Sequence, residues 1–189
     1  MLVVIDIGNT NITMGLFDGD KIIGNYRLTT KLERTSDEYG FMLLSFLNAS
    51  NIDVEQIQDV IIASVVPKIM YSFTNSIKKY FNKEPIIIGP GIKTGIRIKI
   101  DNPKELGADR LVDAAGAYYI YGGPCLVIDF GTATTFDIIN DHGDFLGGAT
   151  APGIGISVNA LSSQAAKLPE IEIKKPKNII AKNTVSSMQ

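Results

Sequence analysis

Two stretches of the chain share one pattern: MLVVIDIGNTN at residues 1–11 and CLVIDFGTATT at residues 125–135. Each begins as an apolar run typical of a strand, then carries an aspartate, Asp6 or Asp129, with a glycine two residues later. A carboxylate buried in a strand without a partner costs several kcal/mol. The pattern therefore predicts that the two aspartates lie at a ligand-binding site.

Both stretches belong to a longer repeat. Asp129 follows Asp6 by 123 positions, and the same spacing separates Gly8 from Gly131 and Gly24 from Gly147. Each copy reads as strand, polar loop, strand, aspartate-containing turn and strand. Two copies in one ungapped register predict a chain built from two similar halves, which we place at residues 1–115 and 116–189.

The rest of the chain alternates between apolar runs and segments of helical period, which is typical of α/β architecture. Strands are predicted at residues 2–8, 12–28, 59–66, 85–89, 96–100, 125–131 and 135–148. Helices are predicted at residues 36–49, 67–81, 104–121 and 154–166. Thr35 and Glu38 supply a capping box for the first helix, and Pro67 takes a favoured first position in the second.

Composition excludes several classes of function. The 189 residues carry a net charge of −2, which gives no basic surface for nucleic acid or an anionic membrane. One cysteine excludes an internal disulfide, and one histidine argues against a clustered zinc site. The first residues lack the pattern of a signal peptide, and no apolar run is long enough to span a bilayer. We expect a cytoplasmic protein that binds neither nucleic acid nor membranes.

The loops that follow the two aspartates suit phosphate. Backbone N–H groups of a glycine-led loop can bind phosphate oxygens, and a carboxylate at the same strand end can hold a hydrated Mg²⁺ or another cation. Hydroxyl donors come from Thr10, Thr13, Thr132, Thr134 and Thr135. For one isolated motif, an aspartate that only accepts hydrogen bonds from its own turn is the simpler interpretation. Two motifs in register favour a phosphate site, although no P-loop sequence occurs.

A second candidate site lies in DNPKELGADRLVDAAGA, residues 101–117. Gly107 and Ala108 are small enough for a ligand to approach the backbone. Asp109 could accept a hydroxyl proton while Arg110 binds an anionic group of the same substrate. On residue types alone, a surface ion pair or an aspartate that favours the helix dipole is the simpler interpretation.

Five segments, in this order, closely resemble type III pantothenate kinase: DIGNTN (6–11), ASVVP (63–67), NPKELGADR (102–110), IDFGTATTFD (128–137) and GGATAPGIGIS (147–157). The resemblance implies the actin-like (ribonuclease H-like) superfold of acetate and sugar kinases, in which two α/β halves face a central cleft that binds ATP. It also implies the activity: transfer of the ATP γ-phosphate to the primary hydroxyl of pantothenate, giving 4'-phosphopantothenate in the first step of coenzyme A biosynthesis.

The resemblance further implies roles for single residues. Asp109 would be the general base, Asp6 would help to hold Mg²⁺, and Asp129 would hold a monovalent cation, K⁺ or NH₄⁺. ATP would bind at Asp6, Gly8, Asn9, Thr10, Asn11, Thr13 and Thr132. Pantothenate would bind at Gly107, Ala108, Asp109, Arg110 and Thr184. The family is homodimeric, with its substrate pocket near the subunit interface.

Two departures from the family pattern qualify this expectation. Family members usually continue for some tens of residues beyond a segment like NTVSSMQ (183–189), so the second half is expected to be incomplete at its C-terminal end. Ile100 stands where some relatives carry an aromatic residue beside the substrate. Two other functions stay open: a non-catalytic nucleotide-binding regulator of the same fold, and a kinase for another small hydroxy acid.

Overall fold

The computed structural model of the chain describes residues 1–31, 33–89 and 91–189, and within them it contains nine strands and five α-helices. The strands are β1 (Leu2–Ile7), β2 (Asn11–Asp18), β3 (Lys21–Thr29), β4 (Asp59–Ser64), β5 (Ile86–Ile87), β6 (Arg97–Ile98), β7 (Cys125–Phe130), β8 (Ala133–Ile139) and β9 (Asp144–Pro152). The helices are α1 (Ser36–Ala49), α2 (Pro67–Phe81), α3 (Ala108–Tyr121), α4 (Ile154–Gln164) and α5 (Thr184–Met188).

The first sheet has the strand order β3-β2-β1-β4-β5, with β1 antiparallel to β2 and parallel to β4. Side chains alternate along β1, so that Val3, Ile5 and Ile7 lie in the core and Asp6 points to the opposite face. Helices α1 and α2 cover the core face, where the rings of Tyr39 and Phe73 are 4.9 Å apart. The free face of β1 is thereby left for Asp6.

Local signals account for the ends of α1 and α2, whose bounds agree with the prediction. The Thr35 hydroxyl accepts from Glu38 N, and a Glu38 carboxylate oxygen accepts from Thr35 N at 2.7 Å, which confirms the capping box. Pro67 begins α2. The prediction for α3 was four residues too long at its start, because Pro103–Glu105 forms a separate 3₁₀ turn. Helix α4 ends two residues earlier than predicted.

The second sheet has the order β6-β9-β8-β7 and repeats the meander of the first. Strands β7 and β9 begin and end 123 positions after β1 and β3, which confirms the repeat. The ungapped register fails at the first loop, since Asp6 pairs with Thr13 but Asp129 pairs with Thr135. The loop between β7 and β8 is therefore one residue shorter than the loop between β1 and β2. Both meanders also shift register near the far end of the second strand, at Leu16/Phe17 and Ile138/Ile139.

Helix α3 lies between the two sheets, in contact with β4 of the first and with β7 and β8 of the second. It helps to form the second, smaller core: Ile96, Leu111, Ala114, Ile139 and Phe145. The division into residues 1–115 and 116–189 stays a prediction; α3 runs across that boundary, and β6 joins the second sheet. Among the described residues, no helix is long and apolar enough to cross a bilayer.

Candidate functional site

The loops that follow β1 and β7 meet. The hydroxyl oxygens of Thr10 and Thr132 are 2.8 Å apart, although 122 positions separate the two residues. Each loop is supported from behind by its own meander: Thr30 donates its hydroxyl to Gly8 O at 2.7 Å, and Gly153 N donates to Thr132 O at 3.1 Å. The two copies of the repeat thus present their loops to one common cleft.

The glycine N–H groups of these loops are not free for a ligand. Gly8 N donates to Asn11 O, and Gly131 N donates to Ala133 O, each at 2.9 Å. By contrast, the backbone N–H groups of Asn9, Thr10 and Thr132 have no protein acceptor among the described residues. The donors available to a phosphate oxygen are therefore these later loop positions, together with the threonine hydroxyls.

Asp6 and Asp129 are both exposed, so the expectation that each interrupts a buried strand position is wrong. Both lie near the carboxyl ends of their strands, on the sides of the sheets that face α3. Partial cover by the cleft walls, followed by the charges of Asp109 and Asp129, raises the pKa of the Asp6 carboxyl above its ordinary value. The three carboxylates therefore act on one another across a single cleft.

Asp109 is the second residue of α3, and its Oδ1 accepts from Arg110 N at 2.7 Å. Gly107, just before the helix, leaves the space that this carboxylate needs, because a Cβ built there would collide with Asp109 Oδ1. The next nearest atom to that Cβ, outside Asp109, is Val65 Cγ1 at 3.5 Å, in the segment that follows β4. The sequence Gly-Ala-Asp thus sets the carboxylate beside the carboxyl end of the first sheet.

Arg110 binds a residue to which sequence reasoning gave no role. Its Nε donates to both carboxylate oxygens of Asp137 at 3.1 Å, and its Nη2 donates to Asp137 Oδ1 as well. Asp137 lies in β8 and is 1% exposed. Its burial could not have been predicted from the alternation along β8, which favours Phe136 and Ile138 for the buried face. Its partner could not have been predicted either, because the two residues are 27 positions apart.

Asp113 is a further carboxylate that the sequence analysis did not single out. It follows Asp109 by one helical turn, a spacing that places both side chains on the same face of α3. Partial burial of its carboxyl, with the charges of Asp129, Asp6, Asp109 and Asp137, raises its pKa to about 6. The side chain keeps much solvent contact. The cleft therefore gathers more negative charge than its protein neighbours neutralise.

Removing that charge is expected to stabilise the fold at neutral pH. The folded pKa of Asp113, about 6, lies above its ordinary value of 3.8, so its contribution to stability is present below 3.8 and is lost as pH rises through 6. Asp113→Asn should therefore raise the free energy of unfolding near pH 7.5 by about 1 kcal/mol, after solvent screening, and leave it unchanged near about pH 4. Urea unfolding in EDTA at both pH values checks this, with the exposed Asp101→Asn as control. An equal change at both pH values would contradict the charge argument.

The described part of the chain contains no group of three or more metal-ligating side chains. Mg²⁺ usually keeps several waters and is held by one or two carboxylates together with substrate phosphates. Partial burial and, after it, the charges of neighbouring carboxylates raise the pKa of Asp6 and of Asp113, and a cation would neutralise those charges. The residues at the cleft therefore fit such an ion.

Thr184, predicted to bind pantothenate, and Ile100, which departs from the family pattern, both lie apart from the Gly107–Arg110 segment. Thr184 begins the short helix α5, is exposed, and makes no hydrogen bond to residues 107–110 within the described ranges. Ile100 packs against the smaller core, and a Cβ added at Gly147 would be 3.8 Å from its Cγ2. Of the predicted substrate residues, the structure thus groups only the consecutive ones at the start of α3.

The comparisons of the sequence with known proteins point to one family. The family model for type III pantothenate kinase matches residues 2–189. A type III pantothenate kinase from Agathobacter rectalis is 59% identical over 189 residues, which cover 100% of this chain and 73% of that protein.

Solved structures show a similar fold. A Baf family transcriptional activator from Campylobacter jejuni is 21% identical, with a TM-score of 0.53 over 98% of this chain and 71% of that one. A 2-dehydro-3-deoxygalactonokinase from Sinorhizobium meliloti is 13% identical, with a TM-score of 0.55 over 88% and 58% of the two chains. These identities are low, so the two structures bear on the fold alone.

Proposed function

Since the chain belongs to the type III pantothenate kinase family, we propose that its two facing loops bind Mg-ATP and that the start of α3 binds and activates pantothenate. The family activity is the ATP-dependent phosphorylation of pantothenate in coenzyme A biosynthesis, and the actin-like α/β fold agrees with it. The observation that carries the proposal is the contact between Thr10 and Thr132, which brings both phosphate-type loops to the cleft that also holds Asp109.

The charge balance of the cleft supports the need for cations. ATP is a polyanion, and the cleft beside the two loops already carries the carboxylates of Asp6, Asp109, Asp113 and Asp129, which act on one another electrostatically. Like charges at this range repel, so binding without a cation would be weak. Asp6, beside the first loop, would hold Mg²⁺, which neutralises phosphate charge; Asn9, Thr10, Asn11, Thr13 and Thr132 would contact the phosphates and Gly8 would give them room.

The proposed reaction transfers one proton and one phosphoryl group. Asp109 accepts the proton of the pantothenate primary hydroxyl while the hydroxyl oxygen forms a bond to the γ-phosphorus of ATP. The bond between that phosphorus and the bridging oxygen breaks, and ADP leaves. Phosphoryl transfer is catalysed mainly by positioning and charge stabilisation, so a single base beside the acceptor is enough. Gly107 and Ala108 line the approach, and Arg110 binds the pantothenate carboxylate.

Asp129 is proposed to hold the monovalent cation, K⁺ or NH₄⁺. It occupies in β7 the position that Asp6 occupies in β1, and its charge adds to partial burial and to the charge of Asp109 in raising the pKa of Asp6. A cation at Asp129 would therefore reduce repulsion at the ATP site from the opposite side of the cleft.

Asp129→Ala is expected to abolish stimulation of pantothenate phosphorylation by K⁺ while Mg²⁺ dependence remains. The measurement is the initial rate with and without KCl at constant ionic strength, with choline chloride as the balancing salt. Asp141→Ala, in the exposed turn between β8 and β9, serves as control and should keep the stimulation. Activation of Asp129→Ala by K⁺ at the wild-type half-saturating concentration would refute the assignment.

Three further features of the protein belong to the proposal. We infer that the chain acts as a homodimer in which Thr184 contributes to a pantothenate pocket near the interface. The two halves correspond to residues 1–115 and 116–189. The role in coenzyme A biosynthesis, the balanced charge and the single cysteine fit a cytoplasmic protein that acts without nucleic acid or membranes.

A further inference from the structure

Asp137 has no part in the chemistry above, yet it binds the side chain that would hold the pantothenate carboxylate. Every hydrogen bond that its carboxylate receives within the described residues comes from Nε and Nη2 of Arg110. The Asp137 side chain is 2% exposed, whereas that of Arg110 is 26% exposed. The carboxylate of the pair is therefore buried, whereas the guanidinium is partly accessible to a ligand.

The stability of the fold does not explain this pair. Arg110 is the third residue of α3, where the partial positive charge of the helix end disfavours a cation. A buried ion pair often contributes no more stability than apolar side chains of the same size. Asp137 raises the pKa of Arg110 and compensates its unfavourable place, but an apolar pair would avoid both costs. A charged pair at this position therefore points to recognition of a ligand.

The surroundings are shaped for one orientation of the guanidinium. Its Cζ lies 5.6 Å from the centroid of the Phe145 ring, which is 1% exposed and forms a wall of the smaller core. Gly148 faces Asp137 across β8 and β9, and a Cβ there would collide with Phe136 O and with Asp137 Oδ1 and would be 2.8 Å from Arg110 Nη2. A side chain at position 148 would thus displace the pair together with the neighbouring backbone of β8.

One edge of Arg110 is left over. Two of its three side-chain nitrogens donate to Asp137, whereas Nη1 has no acceptor among the described residues. Arg110 directly follows Asp109, the proposed base, and its backbone N–H donates to the Asp109 carboxylate. The guanidinium is therefore carried by the residue next to the base. A guanidinium binds a carboxylate most strongly when its plane is held before the ligand arrives.

We propose that Asp137 is a positioning residue for substrate recognition, which binds the Nε–Nη2 edge of Arg110 and leaves Nη1 directed to the carboxylate of pantothenate. This inference rests on the proposed role of Arg110. Asp137 does not touch the substrate; it sets the direction of the group that does. The specificity of the site for an acid therefore depends on a residue of the second sheet that lies outside the phosphate loops.

Asp137→Asn tests this, because it keeps the shape of the side chain and removes its charge. The KM for pantothenate should rise by about tenfold to hundredfold, the range for a weakened hydrogen bond to a charged group. The kcat should change by less than about threefold, since uniform binding and not the transition state is affected. The KM for ATP should stay at the wild-type value. A second readout is the inhibition constant of the neutral primary-amide analogue of pantothenate, which should be nearly unchanged.

Gly148→Ala provides a second variant, which keeps both charges of the pair. Its Cβ pushes on the pair from β9 and also on Phe136 O of β8, so we expect a lower melting temperature together with the same selective rise in the KM for pantothenate. Gly155→Ala, in α4, is the matched control, since a Cβ there meets no atom within 4 Å. It should leave both KM values unchanged.

The outcomes separate this inference from the proposed function. An unchanged KM for pantothenate in folded Asp137→Asn and Gly148→Ala overturns the inference. A lower melting temperature and a lower kcat together with a rise in both KM values also overturn it, because they would indicate a purely structural pair. Arg110→Ala shows which level fails. If it raises the KM for pantothenate while Asp137→Asn does not, only the positioning role is wrong; if it leaves that KM unchanged, the role of Arg110 itself is wrong.

Discussion

Asp109→Asn is expected to lower kcat for pantothenate phosphorylation by about 10²–10⁴-fold, the usual contribution of a positioned general base. Asparagine has nearly the same shape, and its side-chain oxygen can still accept the hydrogen bond from Arg110 N that orients Asp109. It cannot accept the hydroxyl proton. The KM for pantothenate and the dissociation constant of Mg-ATP should therefore stay close to their wild-type values.

Two measurements make this prediction sharp. Steady-state kinetics give kcat, and calorimetry gives the dissociation constant of a non-hydrolysable ATP analogue in the presence of Mg²⁺. Asp20→Asn, in the exposed turn between β2 and β3, is the matched control and should behave as wild type. Turnover of Asp109→Asn within about tenfold of the wild-type rate would contradict a base at this position. A binding module without catalysis would show no turnover in either variant.

Asp6→Asn should lower activity and raise stability at the same time. Its carboxylate is proposed to hold Mg²⁺, and we expect its loss to weaken metal binding by about 10–100-fold, the usual effect of removing a residue that supports a metal site. The pKa of Asp6 is raised by its surroundings and by Asp109 and Asp129, so at neutral pH its charge opposes folding. Removing the charge should leave the melting temperature equal or higher. A residue whose only role is structural would show the opposite sign.

The test for Asp6→Asn is a Mg²⁺ titration of the initial rate at fixed ATP, together with a melting curve in EDTA. The half-saturating Mg²⁺ concentration should rise by the same factor as the loss of affinity. Asp18→Asn, at the exposed end of β2 in the same sheet, controls for the loss of one negative charge from the protein. A wild-type Mg²⁺ requirement in Asp6→Asn would remove the metal assignment, and a lower melting temperature would contradict the electrostatic argument.

Features that depend on neighbouring residues could be predicted from the sequence. The bounds of α1 and α2 follow from a capping box and a proline, which act within one helical turn. The repeat in steps of 123 positions predicted that β7 and β9 correspond to β1 and β3. The same kind of information failed at α3, where helical period alone did not reveal that Pro103–Glu105 turns separately.

The candidate site was partly predictable for the same reason. Each loop could be recognised because its aspartate, glycine and threonines are consecutive, and the start of α3 could be recognised because Gly107 and Asp109 are near neighbours. The exposure of Asp6 and Asp129 could not, because the pattern of their strands is apolar and only the position of α3 opens a cleft at these strand ends. The role of Asp113 could not be predicted either, because its raised pKa comes from partial burial in the cleft and from carboxylates on three strands as well as Asp109 on its own helix.

By itself, the sequence determined the family, the α/β architecture with its repeated meander, and the residue types at each loop, because these depend on local order and spacing. Only the tertiary structure decided which of those residues act together. The contact of Thr10 with Thr132, the shared field of the four cleft carboxylates, and the pairing of Arg110 with Asp137 all join residues far apart in the chain. Such pairs are set by how two sheets and the helix between them pack, and no short window of sequence contains that information.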